Sequence, residues 1–202
     1  MRIFSYVIPR DYGFAPNPFF GICTLATCMP KIRRSAVVGD WVIGTSPAKI
    51  GVGKLIYAMK VVEKMTFNSY WADSRFIDKK PVMTKSLKKM YGDNIYFYDG
   101  AAWLQADSHH SNNDGSINTK NLNNDTSADA VLISNHFYYF GEDCIDIPEG
   151  LKEEVCKKGI GYKFVSSDSW NKLHTFLEAN YELGYHGHPV LFNNFKRYPG
   201  PR

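Results

Sequence analysis

The side chains able to do chemistry fall into three groups. Cys23 and Cys28 stand in the short apolar run Ile22–Cys28, with four residues between them. His109 and His110 adjoin at the start of a segment, Asp107 to Asp129, rich in Asn, Asp, Ser and Thr. Asp11 and Asp107 are the carboxylates that folding could bring beside them. A thiol beside an imidazole can act as a nucleophile, and either cysteine could meet His109 in space. A carboxylate beside a histidine can move protons, and Asp11 or Asp107 with His109 or His110 is such a pair. No local signature supports a nucleophilic thiol, so both cysteines read as small packing residues. The catalytic candidates are therefore Asp11, His109 and His110.

Zinc sites use tighter cysteine knuckles in pairs, and no second close pair exists, so no metal is expected. Gly51-Val-Gly53 lies between strands and opens no helix, which fails the context of a phosphate loop. No cofactor is expected.

A second chemistry needs cations for phosphates and flat rings for bases. Lys31, Arg33 and Arg34 sit within four residues, so two of them can address one anion on either a strand or a helix. Charge is polarised along the chain. Residues 31–89 hold thirteen Lys or Arg against four Asp or Glu, whereas residues 90–149 hold one against ten. The net +4 hides this contrast, which suits either two segments folded face to face or a phosphate-facing surface with an acidic flank. Trp41, Tyr70, Trp71, Trp103 and Tyr138 supply rings, and Asn17, Gln105 and Asn135 supply directional polar groups. A solvated basic turn and a ring-rich core are the plain alternatives.

A chain of 202 residues suits one domain with a substantial core. The N-terminal apolar run is too short for a signal peptide or a membrane span. The four cysteines then read as reduced thiols in the cytoplasm. Strands are expected over Met1–Ile8, as an antiparallel pair over Val37–Lys64, over residues 95–98, and over Ala130–Phe140 with a bend at Ser134-Asn135. Helical turns are expected over 66–76, and helices over 149–158 and 168–183, the last with Ser167 or Asp168 as N-cap and Gly184 as C-cap. Residues 107–129 read as a long polar loop, and residues 149–202 as a C-terminal helical extension of one domain spanning 1–202.

Three runs, CTLATCMPKIRRSAVVGDWVIG, GKLIYAMKVVEKMTFNSYWADSRF and VLISNHFYYFG, resemble the bacterial and phage nucleotide-modification-associated domain family, second type. The resemblance spans roughly Arg2 to Pro148. VGDWVIGT followed by GKLIYAMKVVEK is also similar, more distantly, to PUA-like modules such as EVE and ASCH domains. That resemblance implies an α+β fold with a PUA-like, partly open β-barrel and peripheral helices. It also implies binding of RNA or modified DNA bases, some flipped into an aromatic pocket. The long polar segment departs from a compact PUA-like module.

The leading expectation is a nucleic-acid-binding module that recognises a modified base or nucleotide, associated with DNA modification or phage defence. Its pocket would be formed by residues 11–34 and the rings near Trp71, Trp103 and Tyr138. The alternative is an enzyme that modifies or hydrolyses a nucleotide or nucleobase by acid/base catalysis. A blander reading is a docking partner of a modification, defence or toxin–antitoxin-type system.

Overall fold

The computed structural model describes residues 1–200. Its strands are β1 Ile3–Val7, β2 Cys23–Leu25, β3 Trp41–Thr45, β4 Lys54–Lys60, β5 Glu63–Met65, β6 Tyr96–Tyr98, β7 Trp103–Gln105, β8 Val131–Ser134, β9 Phe137–Tyr139, β10 Ile145–Asp146, β11 Tyr162–Phe164 and β12 Gly184–Tyr185. Its helices are α1 Pro30–Ser35, α2 Phe67–Ala72, α3 Leu87–Met90, α4 Thr119–Thr126, α5 Lys152–Val155 and α6 Ser167–Asn180.

The main sheet runs β11-β1-β3-β4-β9-β12, with β10 extending along β4. The expected antiparallel pair is β3–β4, in which Ile43 faces Ala58. β1 lies parallel to β3, with Phe4 beside Val42. Asp40 fixes that register: its carboxylate accepts from the Arg2 backbone N–H at 2.7 Å and from the Val37 N–H at 3.0 Å. Side chains alternate across the sheet. Trp41, Ile43, Leu55 and Ala58 pack under Trp170, Leu173 and Leu177 of α6. Phe4, Val42, Ile56 and Met59 pack on the other face against Ile32 of α1, Leu25 of β2 and Leu132 of β8. Burial on both faces is why these strands read as nearly unbroken apolar runs.

A three-stranded sheet, β2-β8-β5, and a two-stranded one, β6-β7, complete the strands. The class is α+β, as expected, but the sheets are open and mixed rather than a closed barrel. The bend at Ser134-Asn135 is a full break, because β8 and β9 belong to different sheets. The segment 107–129 is not one loop. It contains α4, whose N-cap Asn118 accepts from the Asn121 N–H at 3.1 Å. α6 begins at Ser167 under the cap of Ser166 and ends at Asn180 with Tyr181 as its C-cap, while the expected cap Gly184 starts β12.

Gly44 marks the closest approach in the main sheet. A Cβ there would lie 2.3 Å from the Tyr57 ring and 2.4 Å from Ile8. Gly44→Ala should therefore destabilise the fold by about 2 kcal/mol, read as a lower urea midpoint with an unchanged slope.

Candidate active site

Where β1 ends, the chain turns through Pro9–Ala15 and walls a cavity of about 270 Å³. The rings of Tyr6, Tyr12, Phe14 and Tyr198 line it, with Arg10, Cys28, Met29, His109 and His110. That volume lies just below the roughly 300–1,000 Å³ of small-molecule pockets, a size that suits one ring system. Tyr6 reaches it from the core, its hydroxyl 3.0 Å from that of Tyr57. Tyr198 reaches it because the C-terminal tail is strapped back. Its N–H donates to the His109 carbonyl at 2.7 Å, and Asn121 Nδ2 donates to the Tyr198 carbonyl at 2.8 Å. Arg10 sits over the Tyr198 ring, 5.4 Å from its centroid.

Cys28 and Met29 adopt left-handed backbone, with φ of 56° and 36°. Two consecutive non-glycine residues there are strained, and the loop is held from both sides. The Cys28 N–H donates to Asp125 Oδ1 at 2.9 Å, and Arg33 Nε donates to the Cys28 carbonyl at 2.8 Å. The result points Sγ toward His110 Nε2, 3.8 Å away. His110 Nδ1 in turn lies 2.8 Å from Asp125 Oδ2. Asp125 also accepts from the Tyr96 hydroxyl at 2.9 Å. A thiol, an imidazole and a carboxylate thus stand in line, with the carboxylate buried and the thiol in the cavity wall.

Burial alone would push His110 down. The Asp125 charge and hydrogen bond, with Cys28 adding to them, override it and raise the imidazole to about 9. Burial pushes the Asp125 carboxyl upward, but His110 and Arg33 hold it below the ordinary range. His109 takes the opposite state. Burial and the neighbouring His110 charge lower it to about 3. Its Nδ1 contacts the Lys196 carbonyl, so it carries the proton there and Nε2 is left as an acceptor. Adjacent histidines therefore present a donor and an acceptor.

Of the expected catalytic residues, His109 and His110 share this cavity and Asp11 does not line it. The Asp11 carboxylate accepts from the Tyr139 hydroxyl at 2.7 Å and from the N–H groups of Gly13 and Val190. Burial raises it to about 6 against those bonds. Asp107 is exposed and paired with Arg197. The carboxylate that meets a histidine is Asp125, which no sequence signal distinguished. Cys23 does pack in the core, 3.9 Å from the Met59 sulfur. Cys28 instead faces His110, a correction to its reading as a packing residue.

The expected binding residues do not converge. Arg33 is fully buried, and its guanidinium donates to the carbonyls of Ala128, Ala130 and Asp125 at 2.6–2.7 Å. Buried and with four of its five N–H donors used on backbone carbonyls, Nε on Cys28 included, it is spent on holding the chain. Lys31 and Arg34 are exposed. Asn17 is buried and bridges the Tyr91 carbonyl and Lys79 Nζ. Gln105 is buried and bonds the His110 carbonyl and the Asn118 N–H. Trp41 packs on Trp170 at 4.5 Å, Tyr70 bonds Asp93, and Tyr138 lies under α6. Trp103 packs on Phe67 and Tyr98. Trp71 stacks on Phe97 at 4.3 Å beneath Lys80, and Asn135 lies exposed in a turn. Among the described residues no group of three metal-ligating side chains is gathered. No helix there is long and apolar enough to cross a membrane.

The molecule is thus an α+β protein whose aromatic cavity contains a thiol–imidazole–carboxylate line. Over residues 1–196 the chain matches the family model described as nucleotide modification associated domain 2, and it belongs to that family. No curated protein and no solved structure matches it significantly.

The buried pair predicts a pH signature. The folded pKa of His110 lies above the usual 6.5, so its stabilisation is full below about 6.5 and is lost as pH rises through about 9. Asp125 is depressed, so its contribution is present above the ordinary carboxyl range and lost as pH falls through its folded value. The stability difference between the native chain and Asp125→Asn cancels the separate titrations of Asp11 and Lys79. It should shrink by about 3 kcal/mol between pH 6.5 and 9.5 in urea unfolding. A flat difference contradicts the charged pair.

Proposed function

We propose that the chain acts as an enzyme on a nucleobase or nucleotide held in the cavity, with His110 moving the proton. One observation carries this reading: an imidazole oriented by a buried carboxylate opens into a ring-lined cavity sized for one ring system. Membership of a nucleotide-modification-associated family supports the substrate class. So do the rings, whose faces suit stacking, and exposed Arg10 at the rim, which suits a phosphate.

The second reading is a module that recognises a modified base in nucleic acid within a DNA-modification or phage-defence system, with or without a protein partner. Trp71 favours it: half-buried, it carries Lys80 Nζ 3.8 Å from its ring centroid. The resemblance of Gly39–Trp41 and the following strand to PUA-like base-binding modules supports the same reading.

Incubation with nucleotides and with modified and unmodified DNA, followed by mass spectrometry of the nucleosides, separates the two. The enzyme reading expects a mass change that His110→Gln slows by about 10²–10⁴-fold. Full turnover in His110→Gln sinks the role of His110. Salt-dependent oligonucleotide binding without any mass change favours the recognition module.

A further inference from the structure

The cavity holds more than an acid/base residue. We propose that Cys28 is a covalent nucleophile toward an amide- or amidine-type carbon of the bound ring. His110 serves as its proton partner, and His109 accepts a substrate N–H. This deepens the reading above and rests on it for the nucleobase.

Three independent observations meet here. Sγ of Cys28, the His110 ring and the Asp125 carboxylate stand in the order that activated nucleophiles use, with 3.8 Å and 2.8 Å between successive members. The left-handed backbone at Cys28 and Met29 is held at Cys28 by Asp125 on the amide side and Arg33 on the carbonyl side. Strain persists only where its surroundings enforce it, and here it aims the thiol. The other three thiols are not placed this way. Cys23 is buried in the core, and burial pushes Cys23, Cys144 and Cys156 upward.

His109 points to the substrate class. Its Nδ1–H is spent on the Lys196 carbonyl, and it stays neutral. Nε2 can therefore only accept, so a ring whose carbon beside Cys28 carries an NH₂ group satisfies it. A ring with a carbonyl oxygen at that place leaves two acceptors facing each other, at a cost of roughly 1–3 kcal/mol. In a nucleobase the ring carbon that bears an amino group is also bonded to a ring nitrogen, so it is an amidine-type carbon. Amino-substituted nucleobases contain such carbons.

The step balances with water alone. The Cys28 thiolate bonds to the carbon, and the π electrons shift to the adjacent ring nitrogen or oxygen. The His110 imidazolium gives its proton to the departing nitrogen, the C–N bond breaks, and ammonia or an amine leaves. His110, now neutral, takes a proton from water as the water oxygen bonds to the carbon and the C–S bond breaks. Cys28 Sγ and the His110 imidazolium return to their starting states, and the net change is hydrolysis of C–N to C–O. Asp125 is a positioning residue, fixing the imidazole tautomer. The titratable and charged groups nearest His110 are Asp125 from α4, which also holds Tyr96 of β6 and is acted on by Arg33, Cys28 from the loop after β2, the adjoining His109, and Tyr198 of the tail, whose ring centroid lies 5.3 Å from that of His110.

Alkylation of the full chain by iodoacetamide, read by peptide mass spectrometry, tests the nucleophile without any substrate. Cys28 should label at least about tenfold faster than half-buried Cys144 at pH 7, and His110→Gln should remove that advantage. Asp125→Asn should move the pH profile of labelling. A Cys28 no faster than Cys144 in the native chain overturns the proposal, as does a rate that His110→Gln leaves unchanged. Protection from labelling then tests the substrate class, with cytidine monophosphate expected to protect at lower concentration than uridine monophosphate. Equal or better protection by uridine monophosphate overturns the amino-edge assignment. Fast labelling that neither nucleotide slows removes the nucleobase reading while leaving the nucleophile standing.

Discussion

A buried Asp125 carboxylate anchors much of the cavity's far wall. It accepts from His110, the Tyr96 hydroxyl, the Cys28 amide and Asn124 Nδ2, with none of these bonds longer than 3.1 Å. A carboxylate removed from water is costly unless charge and hydrogen bonds offset it. Here the offset comes from three separate parts of the chain: the loop after β7, the strand β6 and the loop after β2. Because each partner is held by the same charge, losing Asp125 would release the thiol loop and the imidazole together. Its depressed titration and the raised titration of His110 are two descriptions of one interaction.

The surrounding polar framework follows from that charge. α4 must carry Asp125 into the interior, and it also buries Asn121 and caps itself with Asn118. Asn121 Nδ2 then holds both the His110 carbonyl and the Tyr198 carbonyl, so the helix, without lining the cavity, fixes two of the residues that do. Arg33 ties the C-terminal end of α4 to the turn that follows it, donating to the carbonyl of Asp125 in the helix and to those of Ala128 and Ala130 beyond it. Its planar fork suits that task better than a lysine would. The main sheet, buried on both faces, supplies the rigidity from which Tyr6 and the Pro9–Ala15 loop project.

Much of the sheet was legible in the sequence. Strands β1, β3, β4, β8 and β9 are short apolar runs bounded by Gly, Pro or Asn, and their β-branched and aromatic content states the conformation. α4 was not legible. Its sequence TKNLNNDT has one apolar residue, so no stripe of period 3.6 exists. It is helical because its capping and its buried Asn and Asp side chains find tertiary partners, which local pattern cannot express. The site was legible only by residue type. His109 and His110 stood out, but Cys28 and His110 are 82 residues apart and Asp125 looked like one more polar residue in a polar run. Arg33 misled for a related reason: a basic cluster normally faces solvent, and this member is consumed by carbonyls. How the sheets close was not legible either: the Gly39–Trp41 turn and β4 specify a strand pair, and a pair does not specify whether the sheet curls into a partly open barrel.

The central claim is that His110 is a buried imidazolium bound to Asp125. The most direct test is a proton–nitrogen correlation spectrum of the histidine rings, followed from pH 5 to pH 10. The account predicts one ring with both nitrogens protonated up to about pH 9, a signal that vanishes in His110→Gln. Six histidines that are all neutral by pH 8 would contradict it.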